Sequence, residues 1–78
     1  MYERFRFSLY MQGKVKLFNK EKGYGFITAE GQDKDIFFHY SELVMEGFKT
    51  IENDAVVEFE LVQTERGPQA KKIVKVQQ

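Results

Sequence analysis

Lys22–Tyr40 reads KGYGFITAEGQDKDIFFHY, and six of these nineteen residues carry an aromatic or imidazole ring: Tyr24, Phe26, Phe37, Phe38, His39 and Tyr40. Two runs rich in aromatic and β-branched residues, YGFITAE and IFFHY, flank GQDKD, whose glycine and carboxylates suit a hairpin turn. Side chains alternate across a strand, so one choice of register sorts all the rings. In the second run Ile36 and Phe38 make the better inward pair, since a buried His39 would need hydrogen-bond partners. Phe37 and His39 then face out. In the first run Ile27 is the natural inward residue, which turns Phe26 and Tyr24 outward and leaves Gly25 where a larger side chain would point into the core. Antiparallel pairing gathers Tyr24, Phe26, Phe37 and His39 on one surface. A contiguous exposed apolar patch marks an interaction site. The competing expectation is a second core, covered by the N-terminal segment or by a partner chain.

The strand pattern continues on both sides of this hairpin. Upstream, GKVKLFN (Gly13–Asn19) alternates lysines with apolar residues. Downstream, AVVEFELVQ places Val57, Phe59 and Leu61 on one face and Val56, Glu58 and Glu60 on the other. ERGP is a turn, and AKKIVKV is a fifth strand of poor alternation, in which Ile73 falls on the same face as Lys71. Between strands three and four, SELV suits one helical turn capped by Ser41, and Gly47 stops anything longer. Five short strands separated by turn residues predict an all-β fold, a small closed or nearly closed antiparallel barrel. Closure removes the unpaired edges that a short open sheet would expose.

At 78 residues the chain is one domain. Residues 1–10, MYERFRFSLY, stand apart as an N-terminal extension to a domain over 11–78. They suit either a loosely ordered appended leader or an extra strand, since Phe5, Phe7 and Leu9 alternate with Arg6 and Ser8. The absence of cysteine excludes disulfides and thiolate metal sites and fits a reducing, cytoplasmic setting. No apolar run approaches a membrane span, and the N-terminus lacks the features of a secretory signal.

Twelve basic residues balance twelve acidic ones, so the chain has no overall pull on a polyanion. The charges are nonetheless segregated. Lys14, Lys16, Lys20 and Lys22 face only Glu21 within residues 14–22, whereas Glu52, Asp54, Glu58 and Glu60 cluster in residues 52–60 with no base. Rings among lysines suit single-stranded nucleic acid, with bases stacked on the rings and amines at the phosphates. Catalysis finds no support: His39 is the single histidine, and alternation opposes a triad with Asp35 and Ser41. Asp33 and Asp35 read as a turn rather than a calcium loop, so neither a metal nor another cofactor is expected.

These residues resemble the bacterial cold-shock domain over about residues 12–76. KGYGFI is similar to its first ribonucleoprotein motif and IFFHY to its second; GKVKLFN, EGFKTI and RGPQA are similar to its first strand, its long loop and its entry to strand five. The resemblance implies an OB-type barrel that binds single-stranded RNA and DNA and acts as a cytoplasmic RNA chaperone, with no enzymatic activity and no cofactor. Carried over by position, it implies stacking by Tyr24, Phe26, Phe37, His39, Tyr40 and Phe48, with Lys16, Lys22 and Arg66 at the same surface and Asn19 shaping or touching it. Leu17 stands where the family has a tryptophan platform, so it belongs to the site but stacks poorly. Tyr24 and Tyr40 replace phenylalanines and add a hydroxyl. A monomer is expected. The alternative is a protein-interaction or homodimerisation module that uses the same aromatic face or residues 1–10.

Overall fold

The computed structural model describes residues 9–76. Five strands, β1 (Leu9–Asn19), β2 (Tyr24–Thr28), β3 (Ile36–His39), β4 (Val56–Thr64) and β5 (Gly67–Lys75), close into a barrel in the order β1-β2-β3-β5-β4. β1 is long enough to serve two neighbours. Leu9–Lys14 pair with β4 and Lys14–Asn19 pair with β2, so β1 itself closes the barrel. The remaining closure is parallel, through Phe37 of β3 opposite Gln69 of β5, and is continued by a bridge from Leu43 to Ile73.

The inward alternation holds in the β2–β3 hairpin and in β4. Ile27, Ile36, Phe38, Val57 and Phe59 are almost fully buried, and Leu61 joins them. The long β3–β4 connection adds Leu43, Ile51 and Ala55 to the same core. It is tied to β1 by the Val15 N–H donating to the Ala55 carbonyl (2.9 Å) and the Asp54 N–H donating to the Val15 carbonyl (2.7 Å).

Two bulges explain where simple alternation fails. In β1, Val15 pairs with Ile27 but Leu17 pairs with Phe26, so Lys16 is an extra residue and the pleat reverses there. In β5, Val74 pairs with Glu58 and Lys71 with Glu60, again one residue too many. Lys72 sits at this second bulge with φ +53°, and its N–H donates to Glu42 Oε1 at 3.3 Å. The reversal sends Ile73 inward, fully buried, and separates it from Lys71, which strict alternation had put on the same face.

Three further expectations are corrected. The first strand begins at Leu9, four residues before the lysine-alternating run, because β4 is long enough to pair with it. The fifth begins at Gly67 and contains Pro68, since the β4–β5 turn is only Glu65-Arg66 between the paired Thr64 and Gly67. The short helix is a 3-10 turn over Tyr40–Glu42 capped by His39 rather than Ser41; the His39 ring accepts the Ser41 N–H. Phe5 and Phe7, the start of the alternation proposed for an extra strand, lie outside the described residues, while Leu9 and Tyr10 belong to β1.

Gly25 is buried between β1 and the core. A Cβ built there would collide with the Leu17 carbonyl oxygen and come within 2.7 Å of Phe38 Cζ. Gly25→Ala is therefore expected to destabilise the fold by about 1–3 kcal/mol, the usual cost of overpacking. Urea or thermal unfolding measures this; an unchanged midpoint would show that β1 and Phe38 yield without cost.

Candidate nucleic-acid interface

The outward residues of β1, β2, β3 and β5 form cross-strand rows. One row runs Leu17–Phe26–Phe37–Gln69, and the next runs Asn19–Tyr24–His39. The first row exists because of the β1 bulge. Without the bulge at Lys16, regular alternation would put Leu17 on the inward face of Val15; instead Leu17 is 46% exposed and Phe18 turns in, stacked on Phe38 at 5.9 Å and 14°.

Tyr24, Phe26 and Phe37 are half-buried and packed on one another. Their centroids are 6.1 Å apart for Tyr24–Phe26, 5.8 Å for Tyr24–Phe37 and 5.9 Å for Phe26–Phe37, in edge-on or tilted contacts. Such arrangements suit ring quadrupoles better than face-to-face stacking. His39 and Tyr40 form a second ring pair at 4.8 Å. Tyr40 is not in the strand. The 3-10 turn starts there and carries its ring outward, where continued alternation would have pointed it toward the Phe38 side. His39 Nδ1 accepts the Ser41 N–H (3.3 Å) and lies 2.9 Å from the Ser41 hydroxyl, so in the neutral ring Nε2–H is the remaining donor.

Asn19 has a defined structural part. Its Oδ1 accepts the Lys22 N–H at 3.0 Å and its carbonyl accepts the Gly23 N–H at 2.8 Å, which sets the β1–β2 turn. Gly23 adopts φ +78°, and a Cβ there would lie 2.9 Å from Tyr40 Cδ1, so the Tyr40 ring rests on bare backbone. The Gly23 carbonyl in turn accepts the Tyr40 N–H at 2.8 Å.

The cations are placed differently from one another. Lys16, the bulge residue, forms a 2.8 Å ion pair with Asp35 at the entry to β3, so its charge is already shared. Lys22 is exposed and makes no ion pair among the described residues. Arg66 stands exposed at the tip of the β4–β5 turn, where its N–H donates to Thr64 Oγ1 at 3.1 Å. Phe48 is 81% exposed, in the long loop. It does not touch the ring cluster; with Phe18, Lys20, Lys22, Tyr40 and Lys49 it lines a recess next to it.

Gln69 was not singled out from the sequence. Its place beside Phe37 comes from the parallel β3–β5 closure, for which a local pattern carries no signal. Lys49 was missed because the loop that carries it has no periodicity, whereas Lys20 was visible as part of the basic segment. Among the described residues no group of three or more histidine, cysteine or acidic side chains could hold a metal ion. Nor is any helix there long and apolar enough to cross a membrane.

Comparison with known proteins agrees with this geometry. The profile of the 'Cold-shock' DNA-binding domain matches residues 11–76. The cold shock-like protein CspLB of Listeria monocytogenes is 55% identical over 64 residues, which are 82% of this chain and 96% of that protein. The cold shock protein CspB of Bacillus caldolyticus is 55% identical over 65 residues, 83% of this chain and 97% of the relative. Among solved structures, Drosophila Unr CSD456 superposes with a TM-score of 0.75 at 25% identity, covering 88% of this chain but only 27% of that longer one. With its OB-type barrel, the chain thus belongs to the cold-shock domain family, whose members bind nucleic acid and are not enzymes.

Proposed function

We propose that this protein binds single-stranded RNA and DNA by stacking bases on the rings of β2 and β3, and that it serves as a cytoplasmic RNA chaperone. The observation that carries this reading is the outward Tyr24–Phe26–Phe37 cluster, continued by His39 and Tyr40. Tyr24, Phe26 and Phe37 are only half-buried, so part of each ring is open to a ligand. Every base has a π-face, so stacking of this kind is tolerant of sequence. Bases stacked on the protein's rings are no longer stacked on one another, which favours the single strand over the duplex, and that is what keeping a transcript unstructured requires. Lys22 and Arg66 are the cations proposed to meet phosphates, with Lys16 contributing less while Asp35 neutralises it. Closure of the barrel leaves no long free strand edge among the described residues for a second copy to pair with, which supports a monomer.

Titration with oligothymidine and oligouridine at two salt concentrations tests the proposal. Saturable binding is expected, weakening with salt at a log–log slope of about −1.4, the value for two phosphate contacts on a single strand. An apolar dimer through the same rings would be indifferent to salt. Self-association without saturable oligonucleotide binding would replace the proposal by that reading.

Three substitutions sharpen the test. Phe37→Ala removes a ring that makes two of the three contacts of the cluster and is expected to cost about 1–3 kcal/mol of binding. Leu17→Trp restores a platform in the same row as Phe26 and should tighten binding to a pyrimidine-rich strand by up to about tenfold; unchanged or weaker affinity refutes that part. Asp35→Asn releases Lys16. The expected result is roughly two- to fivefold tighter binding at low salt and a slope steeper by about 0.7, one more phosphate contact.

A further inference from the structure

Among the described residues, a group of uncommitted positive charges lies beside the ring surface. Lys20, Lys22 and Lys49 line one recess of about 700 Å³, with Glu21 as the single carboxylate on its lining. None of the three amines forms an ion pair among the described residues, whereas Lys16, Lys71 and Lys75 are committed to Asp35, Glu42 and Glu52. In a chain of zero net charge, three amines against one carboxylate make a local excess of two positive charges.

The recess begins where the ring surface stops. Tyr40 belongs to both: it contacts His39 on one side and lines the recess on the other, with exposed Phe48 across from the surface rings in the long loop. The Lys20–Gly23 turn and the Gly47–Thr50 segment wall it. The first wall is held by the two hydrogen bonds that Asn19 accepts from Lys22 and Gly23, so Lys20 and Lys22 project from a fixed backbone.

We infer that this recess is a binding site for the terminal phosphomonoester of a single strand, with Tyr40 and Phe48 flanking the end nucleotide. The inference rests on the strand-binding reading above and adds to it a preference for one strand end. An internal phosphodiester carries one negative charge and two free oxygens. A phosphomonoester carries about −1.5 to −2 at neutral pH with three strong acceptor oxygens. Each lysine offers three donors and no acceptor, so a cluster of amines suits the monoester far better than the diester. Among the described residues the ring surface itself, with Lys16 neutralised and Arg66 alone on its turn, has no comparable concentration of charge.

The test uses thymidine hexanucleotides that end in two hydroxyls, in a 5′-phosphate or in a 3′-phosphate, titrated by calorimetry against the full chain and against Lys20→Gln/Lys49→Gln. The two phosphorylated strands have the same bases and the same charge, so general electrostatic attraction treats them alike. One phosphorylated end is expected to bind about fivefold tighter than the other in the unaltered protein, the effect of one further charge contact of about 1 kcal/mol. In the double variant that difference should fall below about twofold, with the hydroxyl-ended strand still bound. Equal affinity of the two phosphorylated strands, all three being bound, overturns the terminal-phosphate site and leaves base stacking standing. An end preference that survives the double variant overturns it too, because the phosphate then lies elsewhere. Failure to bind any of the three strands removes both readings.

Discussion

Phe38 lies against the bare backbone of Gly25, and the Leu17 carbonyl closes over the same spot. This three-way contact is possible only without a side chain at residue 25, and much else depends on it. It fixes Phe38 as the inward ring of β3, which makes Phe37 and His39 outward. It fixes Gly25 as the inward residue of β2, which makes Tyr24 and Phe26 outward. It also brings the last turn of β1 close enough for Phe18 to stack on Phe38. A side chain at this position would push β1 away and disturb the core and the ring surface together.

The two bulges do complementary work. Alternation is a rule about phase, and one extra residue reverses the phase for the rest of the strand. At Lys16 the reversal exchanges Leu17 for Phe18, extending the outer row while filling the core with a larger ring. At Lys72 it turns Ile73 inward against Leu43, which seals the seam between β3 and β5 where the pairing is shortest. That seam is reinforced from the 3-10 turn, whose Glu42 accepts the Lys72 N–H and lies 3.8 Å from the Lys71 amine. Where its ladder is thin the barrel thus closes through one isolated backbone bridge, with the Val44 N–H donating to the Ile73 carbonyl (2.8 Å), and through these side chains.

Electrostatically the chain is balanced in sum and uneven in space. Exposed ion pairs such as Lys16–Asp35 contribute little to stability, commonly about 0–1 kcal/mol. Their larger consequence is to decide which cations are left to attract a ligand. Pairing at Lys16, and its lack among the described residues at Lys20, Lys22 and Lys49, shift positive potential toward one end of the ring surface, a distribution that a net charge of zero conceals.

The inward and outward members of the β2–β3 hairpin and of β4 were legible from residue order, because a period of two needs no information beyond the strand itself. The motifs KGYGFI and IFFHY were legible for the same reason: they are contiguous, and their spacing carries the surface they build. The placement of Leu17, Tyr40, Ile73 and Gln69 was not deducible from that period. Leu17 and Ile73 depend on bulges, which arise when a strand must follow two neighbours of different register. Tyr40 depends on the backbone leaving the strand after His39, where the His39 ring caps the turn. Gln69 depends on a parallel closure between strands separated by the whole of β4. Local alternation chose the rings that face water, while the curvature needed to close five short strands into a barrel set which side chains stand beside them.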